Sequence, residues 1–333
     1  MLLNSVWTQP PVLSAIVTGT IALILAVWNF FSGRKTQTEI EILKNELAQK
    51  KSENDARREY EFEARKRLYQ EYEPLLFQLM EASDNALHRI QSLARTARHD
   101  NLNDTGWLSQ FNYYTKSTLY KLLVPIAIYQ IMQKKLTLVD ITVDKSIGLR
   151  YKIAKQIYIS YTDDFEFAKL IENIHYDPNN IDWQVKRKDN PKRFWRQGLP
   201  MGILDKTLDI LIEKSENGKE RVISYGDFEK KLGNVGDDKG SDINLSRDIF
   251  FKFHPENRPV LWRILIAQSL LFKALLELQN FKSEEINQDV VRKLLGQYDK
   301  KSLSAFRWSN DNSFSEQIEE PFKAAVKYFE NRF

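Results

Sequence analysis

Apolar residues are spread unevenly along this chain. The densest run is Val12–Phe31, VLSAIVTGTIALILAVWNFF: twenty residues with no charge, eleven of them Val, Leu, Ile or Phe. At about 1.5 Å of rise per residue it predicts a helix roughly 30 Å long, the thickness of a bilayer's hydrocarbon core. Each strongly apolar residue favours insertion by ~0.3–0.6 kcal/mol near the helix centre, and Thr18, Gly19 and Thr20 offset part of that gain. Trp7 and Trp28 fall near the two expected interfaces, where aromatic rings prefer to lie, and Pro10 and Pro11 suit a helix start. The preceding MLLNSVWTQPP contains no Lys or Arg, and no A-x-A site follows the run. A retained anchor therefore fits better than a signal peptide. Arg34 and Lys35 follow directly, so the positive-inside rule predicts the N-terminus outside and the remainder in the cytoplasm, at the plasma (inner) membrane.

Beyond the anchor the pattern changes. Thr36 to about Tyr72 is charged and free of Gly and Pro, which predicts a long helix. Ile40, Leu43 and Leu47 have coiled-coil spacing, but Lys50, Asn54 and Arg57 interrupt the seam. A solvated stalk and a short coiled coil both fit. Pro74 is expected to break or kink this helix. Leu75–Arg98 then shows a helical stripe of Leu76, Leu79, Met80, Leu87, Ile90 and Leu93. LLVPIAIYQIM, Leu122 to Met132, is too short to cross a bilayer and predicts a core helix. Leu136–Asp144 reads as a short strand or a helix start, and Ile147–Ile174 and Met201–Lys214 as helices. Pro259 opens the most apolar helix of the body. Arg263, Gln268, Lys273 and Glu277 punctuate it regularly, which marks a core helix and not a span. A last helix is expected over Glu320–Phe329.

The expected architecture is mainly α, with at most a few short strands. A short extracytoplasmic N-terminus (1–11) precedes a single transmembrane helix (12–31) and a stalk helix that is a candidate coiled coil (34–73). A helical cytoplasmic body follows as a first lobe (75–232), a Gly- and Asp-rich linker (233–242) and a second lobe (243–333).

Composition adds bounds. The 333 residues include 19 Phe, 14 Tyr and 7 Trp, enough for a large core, and no Cys. Disulfides, thiolate nucleophiles and Cys-ligated zinc are thereby excluded. A net charge of +4 is too modest to name a polyanionic partner by itself. The four His, at 88, 99, 175 and 254, lack a second His or a dense acidic cluster at ligand spacing, so no metal and no other cofactor is expected.

Three groups of residues carry candidate chemistry. Ala15, Gly19, Ala22 and Ala26 share one face of the anchor, where two backbones can approach closely. With Ile40, Leu43 and Leu47 they are candidate oligomerisation residues. Trp183, Lys186, Arg187, Lys188, Lys192, Arg193, Trp195 and Arg196 interleave cations with rings, joined by Phe194. Such a stretch suits a solvated loop with tucked rings, a lipid or protein contact, or a nucleic-acid strand bound by charge and stacking. The third group is Arg247-Asp-Ile-Phe-Phe-Lys-Phe-His254. Arg, a polar residue and His at this spacing are similar to the motif of HEPN-type ribonucleases. That resemblance implies an all-helical, often dimeric protein in which Arg247 and His254 cleave RNA without metal. The His would move a proton and the Arg would stabilise phosphate charge. The similarity spans these eight residues, and Pro255 follows at once.

The expectation is a non-catalytic, membrane-anchored helical scaffold or effector. It would self-associate and act through its cytoplasmic body on a protein partner or on the membrane. Membrane-disrupting effectors of bacterial stress or phage defence share this layout, by analogy of architecture. The alternative is a tethered nuclease using Arg247 and His254, or a nucleic-acid binder using residues 183–196.

Overall fold

The computed structural model describes residues 10–103, 105–136, 140–170, 198–216, 218–233, 250–256, 258–297, 300–311 and 314–333. They are mainly helical, with two short strands. The chain divides into two compact units, Met1–Glu63 and Ala64–Phe333. Helix α1, Pro10–Arg98, contributes residues to both.

In the first unit the described side chains of α1 are exposed from Ser14 to Tyr60. Polar residues four apart pair along its surface: Arg57 Nε donates to Glu61 at 3.2 Å, and Gln49 Nε2 to Glu53 at 2.9 Å. Such exposed i,i+4 pairs add ~0.2–0.5 kcal/mol each to the helix and build no core.

The second unit has the core. Its share of α1 buries Leu68, Leu75, Leu79, Ala86, Ile90 and Leu93. The buried stripe is turned slightly from the one the sequence predicts. Leu76, Met80 and Leu87 are only half-buried, while Ala82 and Ala86, small enough for close packing, face inward. Pro74 corrects a second expectation, because α1 runs through it without a break. Its missing N–H orphans the carbonyl of Gln70, but both residues are exposed, so solvent can take that carbonyl.

Helix α2, Tyr113–Leu136, buries Leu122–Met132 almost completely. Of Leu136–Asp144, read as a short strand or a helix start, residues 137–139 lie outside the described residues and Ile141–Val143 forms a 3-10 turn. Asp144 then caps α3, Lys145–Ser160: its Oδ1 accepts from the N–H groups of Ser146 and Ile147 at 2.9 and 3.1 Å. Oδ2 of the same carboxylate accepts from Tyr69 Oη at 2.8 Å, which ties α3 to α1 and raises the tyrosine's pKa. The helix expected over Ile147–Ile174 stops at Ser160 and restarts as α4, Asp164–Ala168. Asp163 sits at the break. Its Oδ2 accepts from Tyr328 Oη at 2.6 Å and Arg332 Nη2 at 3.2 Å, a tertiary link that outweighs local helix continuity.

Helix α5, Met201–Leu211, ends three residues short of the expected Lys214. Ile212–Lys214 (β1) instead pairs antiparallel with Glu220–Val222 (β2), Ile212 opposite Val222. Gly218, at φ +73°, turns the hairpin, and Arg221 Nη2 meets Glu213 at 2.7 Å across it. Helix α6, Tyr225–Gly233, follows.

The centre of the body is α7, Pro259–Glu277, which packs against α3 and α4. It also packs against α8, Gln288–Gly296, and α10, Glu320–Glu330. Gln268, fully buried, donates through Nε2 to Ile157 O and Ser160 Oγ at 3.2 and 3.0 Å, while its Oε1 is buried without a partner among the described residues. Between the short helix α9, Lys300–Ser304, and α10 runs a π turn, Ser315–Glu319. Its buried Gln317 accepts through Oε1 from the N–H groups of Trp308 and Ser309, at 3.0 and 2.9 Å.

Candidate functional site

The first candidate is the exposed apolar helix of the first unit, Ser14–Phe30. Leu23 is 67% exposed, Ile24 65% and Trp28 72%. Isolated apolar side chains on a surface are ordinary, but a contiguous sleeve of them is not, and it marks a surface that something else covers. The hydroxyls inside it turn inward. Thr18 Oγ1 donates to Ser14 O and Thr20 Oγ1 to Ile16 O, both at 2.7 Å. Each therefore satisfies itself on its own backbone, the arrangement a hydroxyl needs in a medium without water. Among the described residues, the helix that is long and apolar enough to cross a membrane by length and composition is Pro259–Asn280, and it is 83% buried in the body.

The small-residue face lies on this sleeve. Ala15, Gly19, Ala22 and Ala26 are all exposed, and a Cβ added at Gly19 would meet nothing within 4 Å. Ile40, Leu43 and Leu47 are likewise exposed, by 46%, 56% and 66%. One helix thus brings the candidate oligomerisation residues together, unpacked.

The other sequence candidates fare differently. The basic-aromatic group (Trp183, Lys186, Arg187, Lys188, Lys192, Arg193, Trp195, Arg196) lies outside the described residues, as does Arg247. His254 is described. It follows a single turn in which Phe250 and Phe253 are fully buried and Lys252 has φ +50°. Its Nδ1 accepts from the Glu256 N–H at 3.2 Å, and Trp308 meets the ring edge-on with centroids 5.5 Å apart. Burial lowers the imidazole's pKa below the usual value, against weaker opposing pulls from Glu256 and Asp100. A neutral ring that accepts at Nδ1 carries its proton at Nε2. Among the described residues no group of three or more His, Asp or Glu is placed to hold a metal ion.

Comparison with protein-family models, with curated proteins and with solved structures finds no match. The fold and its exposed helix therefore define this protein only by class: a mainly helical body in a chain that also carries an uncovered apolar helix.

Proposed function

We propose that Val12–Phe31 anchors this chain in a membrane as a single span and that the helical body works as a self-associating scaffold or effector. It would act on a protein partner or on the membrane itself. The observation that carries this reading is the uncovered sleeve Ser14–Phe30, in whose middle the Thr18 and Thr20 hydroxyls close on their own backbone. Eleven Val, Leu, Ile and Phe residues at ~0.3–0.6 kcal/mol each give roughly 3–7 kcal/mol in favour of lipid. Arg34 and Lys35 set the body on the cytoplasmic side of an inner membrane. Self-association draws support from the exposed Ala15, Gly19, Ala22 and Ala26 face, continued by Ile40, Leu43 and Leu47. His254 lends the nuclease alternative no support, since its Nδ1 is engaged and it stands outside any helix.

The test is extraction of the full chain from membranes at alkaline pH. Wild type is expected to remain in the pellet. Leu23→Arg, at the centre of the run, adds ~2.5–3.5 kcal/mol against insertion and should shift protein to the supernatant. Wild-type protein recovered wholly in the supernatant would overturn the anchor.

A further inference from the structure

The body contains a cleft that none of the sequence motifs anticipates. It has a volume of ≈ 500 Å³ and is lined by Lys169 and Leu170 after α4, Arg263 of α7, and Glu320, Lys323, Ala324 and Lys327 of α10. The α10 residues fall at i, i+3, i+4 and i+7, one face of the helix. Packing of α4 and α10 against α7 brings in the rest.

Charge is the unusual feature. Four cations line the cleft against one carboxylate, Glu320. Lys169 also pairs with Glu166 at 3.1 Å, which leaves a surplus of two positive charges once Glu166 is counted. Lys323 and Lys327 are exposed like charges one helical turn apart, a mildly destabilising arrangement. They have no carboxylate partner at ion-pair distance among the described residues.

Arg263 separates this cleft from an ordinary solvated lysine face. Its side chain is only 11% exposed, yet its nearest carboxylate is the half-exposed Glu320, at 3.9 Å from Nη2. Its Nε is buried with no hydrogen-bond partner. Arg89 and Arg150 share a buried Nε without a partner, but each makes hydrogen bonds through its Nη atoms, Arg89 to Ser117 and Arg150 to Ser146 and Leu278 O, as Arg332 does to Asp163. Burial lowers the Arg263 pKa to about 10, so the group stays charged at neutral pH in a place that disfavours charge. A buried cation with unmet donors is costly unless an anion completes it.

We propose that this cleft binds a small phosphate-bearing anion with at least two negative charges, held by Arg263 and by the Lys323 and Lys327 ammoniums. The forked guanidinium matches phosphate oxygens, and the lysines act as point charges at the rim. The volume lies within the range of small-molecule sites. Among the described residues no aromatic ring lines the walls, so recognition rests on the phosphates and not on a stacked base. The site does not depend on where the apolar helix of the first unit lies.

The experiment is calorimetric titration of the full chain in mild detergent with two soluble probes. Inorganic triphosphate represents a free polyphosphate, and inositol trisphosphate represents a lipid headgroup. One-to-one saturable binding of at least one probe is expected, weakened tenfold or more in Lys323→Gln/Lys327→Gln. Those two exposed positions can change without unsettling the core. Lys214→Gln/Lys219→Gln on the hairpin removes the same charge and should leave Kd unchanged. Tighter binding of triphosphate supports the site with a soluble ligand; tighter binding of the inositol phosphate supports it with a lipid source. No saturable binding of either probe, a loss below tenfold in the α10 pair, or an equal loss in the hairpin pair would each overturn the proposal.

Discussion

Ser14–Phe30 and Pro259–Glu277 are both strongly apolar helices, yet they meet opposite surroundings. The second is enclosed by α3, α4, α8 and α10, with Leu265 and Leu271 fully buried. The first stands uncovered. The difference is written in their polar residues. In α7, Gln268 reaches Ile157 and Ser160, Lys273 Nζ lies 3.6 Å from Glu277, and Arg263 opens onto the cleft. Gln268 reaches a neighbouring helix and Arg263 a cleft between helices, while Lys273 and Glu277 pair with each other on α7 itself. In the middle of Ser14–Phe30 the interruptions Thr18 and Thr20 bond back to their own turn. Apolarity drives a helix out of water; side-chain polar groups decide whether protein or something oilier receives it.

The sharpest way to break this contrast is truncation. Leu271→Ala should cost the body ~2–5 kcal/mol, because the cavity left behind relaxes only partly. Leu23→Ala should leave the body's unfolding free energy within about 0.5 kcal/mol of wild type, as surface changes do. Denaturant unfolding of the full chain in detergent measures both. Equal losses at the two positions would erase the distinction between a packed and an unpacked apolar helix.

A smaller effect sharpens what covers the exposed helix. Exchanging Gly19 and Ala22 for Leu puts bulk where nothing lies within 4 Å of Gly19, so body stability should be untouched. If two spans meet through this face, cross-linked oligomers in detergent should fall severalfold. An unchanged oligomer fraction would leave lipid alone as the cover.

The smallest effect concerns His254. Its folded pKa is lowered by burial, so the unfolded chain binds the proton more readily. The stabilising contribution is fully present above the unfolded value of about 6.5 and is lost as pH falls through the folded pKa. Wild-type stability should therefore decline from about pH 6.5 downward more steeply than that of His254→Gln. Parallel profiles in thermal unfolding would place the ring's burial without energetic consequence.

Much of the helical pattern was legible along the chain. Pro259 opens α7 where periodicity and the N1 preference for proline place it, and α10 begins at Glu320 as expected. The misreadings share a cause. Pro74 stops a helix by local rules, yet α1 continues through it, with Pro74 and Gln70 both exposed so that solvent can take the orphaned carbonyl. Asp163 sits in a run with helical spacing, but Tyr328 and Arg332, 165 and 169 residues away, claim its carboxylate and open the break before α4. Ile212–Lys214 continues a helical stripe until β2 offers its backbone a partner.

The cleft was the least visible feature. Lys323 and Lys327 lie one turn apart in the sequence, and that spacing alone reads as a wet helix face. Their meaning depends on Arg263 and Lys169, which only the packing of α4, α7 and α10 brings to the same wall.

The sequence by itself determined the helical class and the uncharged run Val12–Phe31, because both follow from side-chain character over short spans. Tertiary structure alone decided where α3 stops, where β1 replaces the end of a helix, and which cations share a cleft. Those outcomes depend on residues far apart in the chain competing for the same neighbours, and no local pattern records who wins.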